Sequence, residues 1–269
     1  MPVEIVIPIV IAVAAWWLST VVILYRSGMP VSSFRRTFGG ATAMLIAGIA
    51  AVWFYRNDPS PTGAYLSFFG GIAIFGWNEV AYLFGFVSGP RPKACPASCS
   101  GWQRFSMGVK TCLYHEIAVV ASVAAVYAMT ANAANRVALW TLVVLWLMRW
   151  SAKLNIFLGV RNLHTEFWPE HLAYLKSYAR QRSMNALFPW SILFSLAIAL
   201  LLVSVAVNGP LASAERTGAV LTATLLFLAL LEHVFLMLRI PDELLWLPGL
   251  QSRRMAAPDG SATDVGRDL

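Results

Sequence analysis

Charge is what this sequence has least of. Only 12% of its 269 residues are Asp, Glu, Lys or Arg, about half the share in a soluble globular domain. Hydrophobic residues make up 58%, and the mean hydropathy is +0.65. That balance excludes a water-soluble fold, and the recurring uncharged runs point to a polytopic membrane protein. Cysteine is scarce as well. Cys95, Cys99 and Cys112 give no disulfide framework, and with no second pair the Cys95-x3-Cys99 spacing reads as a loop rather than a zinc site. Walker, GxGxxG and GxSxG motifs are missing, which removes the enzyme classes they mark. The chain has no internal repeat and no matched pair of broken helices, which argues against a secondary transporter. The net charge of +7 does not indicate nucleic acid in such a chain, because membrane proteins carry surplus Lys and Arg on cytoplasmic loops.

What is present is a series of apolar runs. They predict an all-α bundle of seven transmembrane helices, at Val3–Tyr25, Phe38–Tyr55, Ala64–Ser88, Phe105–Thr130, Val137–Val160, Leu187–Asn208 and Thr217–Arg239. The first run has no basic region before it and is long enough to span, so it is expected to stay as a helix rather than be cleaved as a signal. Gly39, Gly40 and Ala41 are expected to let neighbouring helices approach closely. Residues 1–240 form the expected membrane domain. Residues 241–269 form an expected cytoplasmic tail, polar after Trp246 and disordered at its end. Arg56, Arg136 and Arg216 alone fall on one side of the predicted bundle; the other seventeen of the 20 Lys and Arg fall on the opposite side. The bias predicts an external N-terminus and a cytoplasmic C-terminus.

Polar residues inside the predicted spans are few and clustered. Trp150 to Tyr178 runs from apolar helix into an aromatic, polar segment that holds His164 and His171, two of the 4 histidines, with Glu166 and Glu170. Counted along the predicted helices, Glu79, His115, Glu116, Glu232 and His233 fall in one slab about 10–15 Å below the cytoplasmic boundary. Arg149 and Lys153 can reach that slab. The candidate pocket is therefore Glu79, His115, Glu116, Arg149, Lys153, Asn155, Glu166, Glu170, His171, Glu232 and His233. Three readings compete. Glu79, His115, Glu116, Glu170, His171, Glu232 and His233 include enough His and carboxylate ligands for an iron or manganese site. The adjacent His–Glu pairs lack the Glu-x-x-His spacing that puts both ligands on one helical face. Alternatively, Arg149 and Lys153 neutralise the glutamates in a structural network. Thirdly, His115, His171 or His233 offers an axial ligand to a chlorophyll or haem. Further along, Pro169 and Glu170 suit a helix start. Leu172, Leu175 and Tyr178 against Lys176, Arg180 and Arg182 suggest an amphipathic interfacial helix. Trp150, Trp168, Trp190 and Trp246 read as interface anchors.

The segment LWLMRWSAKLNIFLGVRNLHTEFWPEHLAYLKSY (Leu145–Tyr178), followed by MNALFPWS (Met184–Ser191), resembles the signature of the photosynthetic complex assembly protein 2 family, the PuhE type. WNEVAYLFGFVSGPRP (Trp77–Pro92) and YHEIAV (Tyr114–Val119) also look like segments of that family. His164 departs from the resemblance, where the family carries Asn. The resemblance implies a multi-pass protein of the inner (intracytoplasmic) membrane of purple phototrophic bacteria, in which the external N-terminus expected from the Lys and Arg bias is periplasmic. It implies an assembly factor for the reaction centre–light-harvesting complex that modulates bacteriochlorophyll supply. The expected partners are membrane lipid and reaction-centre subunits, light-harvesting subunits or bacteriochlorophyll-synthesis enzymes, and the possible cofactors are bacteriochlorophyll or iron. The rival expectation is a metal-dependent, di-iron-like membrane oxidoreductase acting on a tetrapyrrole or other lipid-soluble substrate.

Overall fold

In lipid no water is available to backbone N–H and C=O groups, so an apolar run can cross only by bonding to itself as a helix. The computed structural model describes residues 2–163, 168–210, 212–238 and 246–251. Among them the α-helices are α1 (Pro2–Ser27), α2 (Phe34–Tyr55), α3 (Pro61–Leu83), α4 (Gly101–Lys110), α5 (Leu113–Thr130), α6 (Val137–Leu158), α7 (Phe188–Asn208) and α8 (Ala214–Met237). Seven of these are long and apolar enough to cross a membrane, and α4 is the exception. The described residues contain no strand, only an isolated bridge between Val160 and Gln181. The fold is an all-α, multi-pass membrane bundle.

Burial decides which helices are central. Over their most apolar stretch, α3 and α8 are 56% buried, against 17% for α1 and α7 and 11% for α2. The largest apolar cluster joins Ala12 of α1, Phe68 of α3, Met148 of α6, Ala199 of α7 and Leu221 and Leu225 of α8. A second joins Val52, Ile74, Val126 and Leu142 from α2, α3, α5 and α6. Exposed apolar side chains such as Met44, Phe54, Phe194 and Leu201 form the lipid-facing surface.

Close helix approach occurs elsewhere than expected. Gly39 and Gly40 have open space where a Cβ would stand. The α2–α3 crossing is instead at Gly48 and Gly70, where a Cβ on Gly70 would lie 2.8 Å from the Gly48 carbonyl oxygen. Spacing alone does not show which of several small residues faces the neighbour.

Two departures from the expected boundaries bear on the site. α3 stops at Leu83 rather than Ser88, because Gly85 turns into the left-handed region at φ 78°. The expected fourth span is two helices, broken at Thr111–Cys112. The cause is a wedge of backbone: a Cβ on Gly89 would lie 2.2 Å from the Lys110 carbonyl oxygen. The wedge also satisfies the broken ends, with Arg91 N–H donating to Lys110 O and His115 N–H to Ser88 O.

Loops gather on two opposite faces. On one, Asn135 N–H donates to Arg56 O and Ala214 N–H to Pro59 O. On the other, Arg91 donates to the Tyr178 hydroxyl, Cys95 N–H to Ser177 Oγ, and Arg161 N–H to Leu236 O. This second face carries α4 and the segment Glu170–Tyr178, which is 3-10 rather than α-helical. Cys95 and Cys99 lie near each other in the loop there, their Cα atoms 6.3 Å apart, and Cys112 is free.

Candidate functional site

The glutamates are held by cations from α6. Glu79 Oε2 lies 3.0 Å from Arg149 Nη2. Glu116 Oε1 lies 2.6 Å from Lys153 Nζ. The indoles of Trp150 (2.6 Å) and Trp146 (3.3 Å) donate to Glu116 Oε2. His115 joins the two pairs, its Nε2 lying 3.7 Å from Glu79 Oε1 and 4.0 Å from Glu116 Oε1. Its ring sits against Tyr82 at 4.7 Å between centroids, and its Nδ1 has no partner. Trp146, Trp150 and Lys153 recur at i, i+4 and i+7, which places them on one face of α6.

The network lies nearer the boundary than the sequence pattern implies. Glu79 stands one turn from the end of α3, and His115 and Glu116 stand in the first turn of α5. The earlier end of α3 and the break at Thr111–Cys112 account for the difference. Cover comes from α4 and the 3-10 segment.

Two cavities flank the network. The smaller, of about 190 Å³, lies between α4, α6 and the 3-10 segment, walled by Phe105, Phe157, Leu172 and Tyr178, with Glu116 and Lys153 in its lining. The larger, of about 370 Å³, lies between α1, α3, α6 and α8. Its walls include Trp16, Ile72, Phe75 and Leu225, and its polar side holds Glu79, Arg149, Glu232 and His233. Arg149 lines both cavities, and 43% of its side chain is exposed. Glu232 opens to the larger cavity and has no hydrogen bond or ion pair among the described residues. A short helical stretch, 246–251, closes part of that cavity. Its Trp246 is 7% exposed and packs edge-on against Trp16.

The remaining candidates have separate places. His233 is buried: Nδ1–H donates to Ala229 O, and the Ser151 hydroxyl donates to Nε2, both at 2.8 Å. Asn155 ties α6 to α7, its amide donating to Ser151 O and Ser191 Oγ. Glu170 is exposed in the first turn of the 3-10 segment. His171 lies against Phe34 and Gly85. Although the residue keeps an exposed side, partial desolvation, opposed by a backbone hydrogen bond at Leu83, holds it below the usual imidazole pKa. Glu166 and His164 lie outside the described residues. Glu79, His115 and Glu116 are thus brought together with Arg149 and Lys153, while His171 and Glu170 stand apart. Among the described residues no group of three or more His, Cys, Asp or Glu is arranged to hold a metal ion.

Several participants are residues that the sequence reading gave another role or none. Trp150 is a buried-network donor, Trp168 lines both cavities, and Trp246 is packed inside; of the four tryptophans read as anchors, Trp190 is the one exposed on the outer surface. Ser151 and Tyr82 carried no signal of their own. The regular spacing of Trp146, Trp150 and Lys153 was the available clue.

Fold and site together define a seven-span helical membrane protein with a neutralised ionic network beside two internal cavities. The chain belongs to the family described as protein of unknown function, DUF3623, whose model matches residues 2–257. It is 36% identical over 265 residues to a Rhodobacter capsulatus protein named "Uncharacterized 30.4 kDa protein in puhA 5'region", covering 93% of this chain and 94% of that protein. No solved structure matches.

Proposed function

We propose that this protein is an assembly factor for the photosynthetic reaction centre–light-harvesting complex. In this reading it modulates bacteriochlorophyll supply, and its larger cavity holds a pigment or a lipid-soluble pigment precursor. It sits in the bacterial inner (intracytoplasmic) membrane with its N-terminus periplasmic and its C-terminus cytoplasmic. Reaction-centre subunits, light-harvesting subunits or enzymes of bacteriochlorophyll synthesis are its partners. The relative named for the puhA 5' region supports the context, as does the resemblance carried by Leu145–Tyr178.

The observation that carries the site is the larger cavity, apolar on its walls and polar at one side. Such a lining suits an amphiphilic ring system, with few polar groups fixing its orientation. Recognition falls to Arg149, which lines the cavity beyond its bond to Glu79, and to Glu232, which has no hydrogen bond or ion pair among the described residues. His233 is a less suitable axial ligand, since both its ring nitrogens are already bonded.

Glu232→Gln in the native host is expected to change bacteriochlorophyll and assembled-complex levels while the protein accumulates normally. Unchanged pigment and complex at normal accumulation would overturn the reading. Purified protein is expected to carry a bacteriochlorophyll-type absorption band that Glu232→Gln weakens.

A further inference from the structure

The smaller cavity is lined by donors that the protein leaves unsaturated. Arg149 and Lys153 stand one turn apart on α6, and both line it. Arg149 bonds through Nη2 to Glu79, 3.0 Å away. Lys153 donates to Glu116 at 2.6 Å and lies 5.1 Å over the Tyr82 ring. Both side chains keep exposed parts. A guanidinium carries five N–H groups and an ammonium three, so each has donors without a partner among the described residues. Neighbouring polar groups are engaged: the Thr111 hydroxyl donates to Gly108 O, the Cys112 thiol to Val109 O and the Tyr178 hydroxyl to Lys93 O. Both Glu116 oxygens accept, one from Lys153 and the other from Trp146 and Trp150. What the cavity offers a guest is therefore donors.

Charge and shape narrow the guest further. Glu79 and Glu116 already neutralise the two cations, so an anion would bring a charge that nothing in the lining balances. An uncharged acceptor, such as a carbonyl oxygen, meets the free donors without that cost. Around them the walls are aromatic, with Phe105, Trp150, Phe157 and Trp168 in the lining. Aromatic side chains pack a flat ring by offset stacking or edge contact. The space is about 190 Å³, against about 370 Å³ in the larger cavity, and suits a single ring rather than a macrocycle.

We propose that the smaller cavity binds the head of a lipid quinone, a flat, uncharged ring bearing carbonyls. A carbonyl oxygen accepts from Lys153, with Arg149 as the second donor, and the ring lies among the aromatic walls. Lys153 lines the smaller cavity and not the larger, so the proposal does not rest on the pigment reading. Two glycines tell the cavities apart. Gly108 lines the smaller one, where a Cβ would lie 3.4 Å from the Tyr178 ring and a larger side chain would fill the space. Gly76 lines the larger one, with open space where a Cβ would stand.

The test titrates the full chain in detergent with decylubiquinone and, in parallel, with decylbenzene, which has the ring and tail without the oxygens. The rise in unfolding temperature with ligand concentration gives each affinity. Saturable binding of the quinone, roughly tenfold tighter than the hydrocarbon, is expected. Glu116→Gln with Lys153→Met removes the donor and its counter-ion together, and is expected to abolish that preference. Gly108→Leu is expected to lose the quinone, and Gly76→Leu to keep it. Equal affinity for the two ligands, or an undiminished preference in the double variant, would overturn the proposal. So would loss of the quinone in Gly76→Leu with retention in Gly108→Leu, which would put it in the larger cavity. Should any variant not accumulate, the comparison of the two ligands on the unaltered chain decides. Pigment content is not read in any arm, so failure here leaves the pigment reading standing, and the reverse also holds.

Discussion

At the scale of single residues, the two ion pairs and the unpaired acid call for opposite behaviour on substitution. Removing Lys153 leaves Glu116 buried with indole donors but no cation. A fully buried pair broken in this way costs about 3–5 kcal/mol. Lys153 is 25% exposed, so Lys153→Met is expected to cost less, roughly 2 kcal/mol. Thermal unfolding in detergent measures it, and a Glu116→Gln/Lys153→Met double variant should lose less than the sum of the single losses. Glu232→Gln, by contrast, removes no partner among the described residues and should leave the unfolding midpoint unchanged or raise it.

His171 supplies a pH dependence at the same scale. Its folded pKa lies below the ordinary 6.5, partial desolvation being the main cause. A proton therefore binds the unfolded form first as pH falls. The contribution is complete above about 6.5 and is lost as pH drops toward the lower folded value. Limited proteolysis of the segment around Glu170–Tyr178 should accelerate over that window, and His171→Gln should abolish the acceleration.

At the scale of elements, glycine positions separate packing from accident. Gly70→Val must push α2 away from α3, since even a Cβ meets the Gly48 carbonyl and Val52. A loss of roughly 1–3 kcal/mol is expected. Gly39→Val, on an open face, should stay within about 0.5 kcal/mol. Denaturant midpoints of the two variants in one detergent decide the matter. The same comparison shows what was legible beforehand. Every long apolar run became a helix, because about twenty residues are needed to cross and nothing else satisfies the backbone. The break at Thr111–Cys112 was not legible, because Gly89 causes it from a different loop. In the network, the cast was legible and the pairing was not. Glu79, Glu116, Arg149 and Lys153 stand out as charges in apolar runs. Which acid meets which base depends on how α3, α5 and α6 are rotated about their axes.

At the scale of the whole molecule, the seven crossings follow from length and apolar content, whereas the sense of insertion rests on the Lys and Arg bias. Reporter fusions after Arg56 and after Arg136 are expected to read as external, and fusions after Lys93 and after Arg182 as cytoplasmic. A reversed pattern would invert the bundle and put the Glu79–Arg149 network on the outer side.

The order in which the chain is made adds a consequence of the α1–α8 pairing. α1 leaves the ribosome roughly two hundred residues before α8, its main neighbour; Trp246, which seats on Trp16, comes later still. Until α8 is made, α1 therefore waits in the bilayer with its inner face against lipid. The larger cavity is not walled until α8 and Trp246 have been made, so no ligand can occupy it before then. Occupancy of that cavity would thus report a chain made at least as far as Trp246.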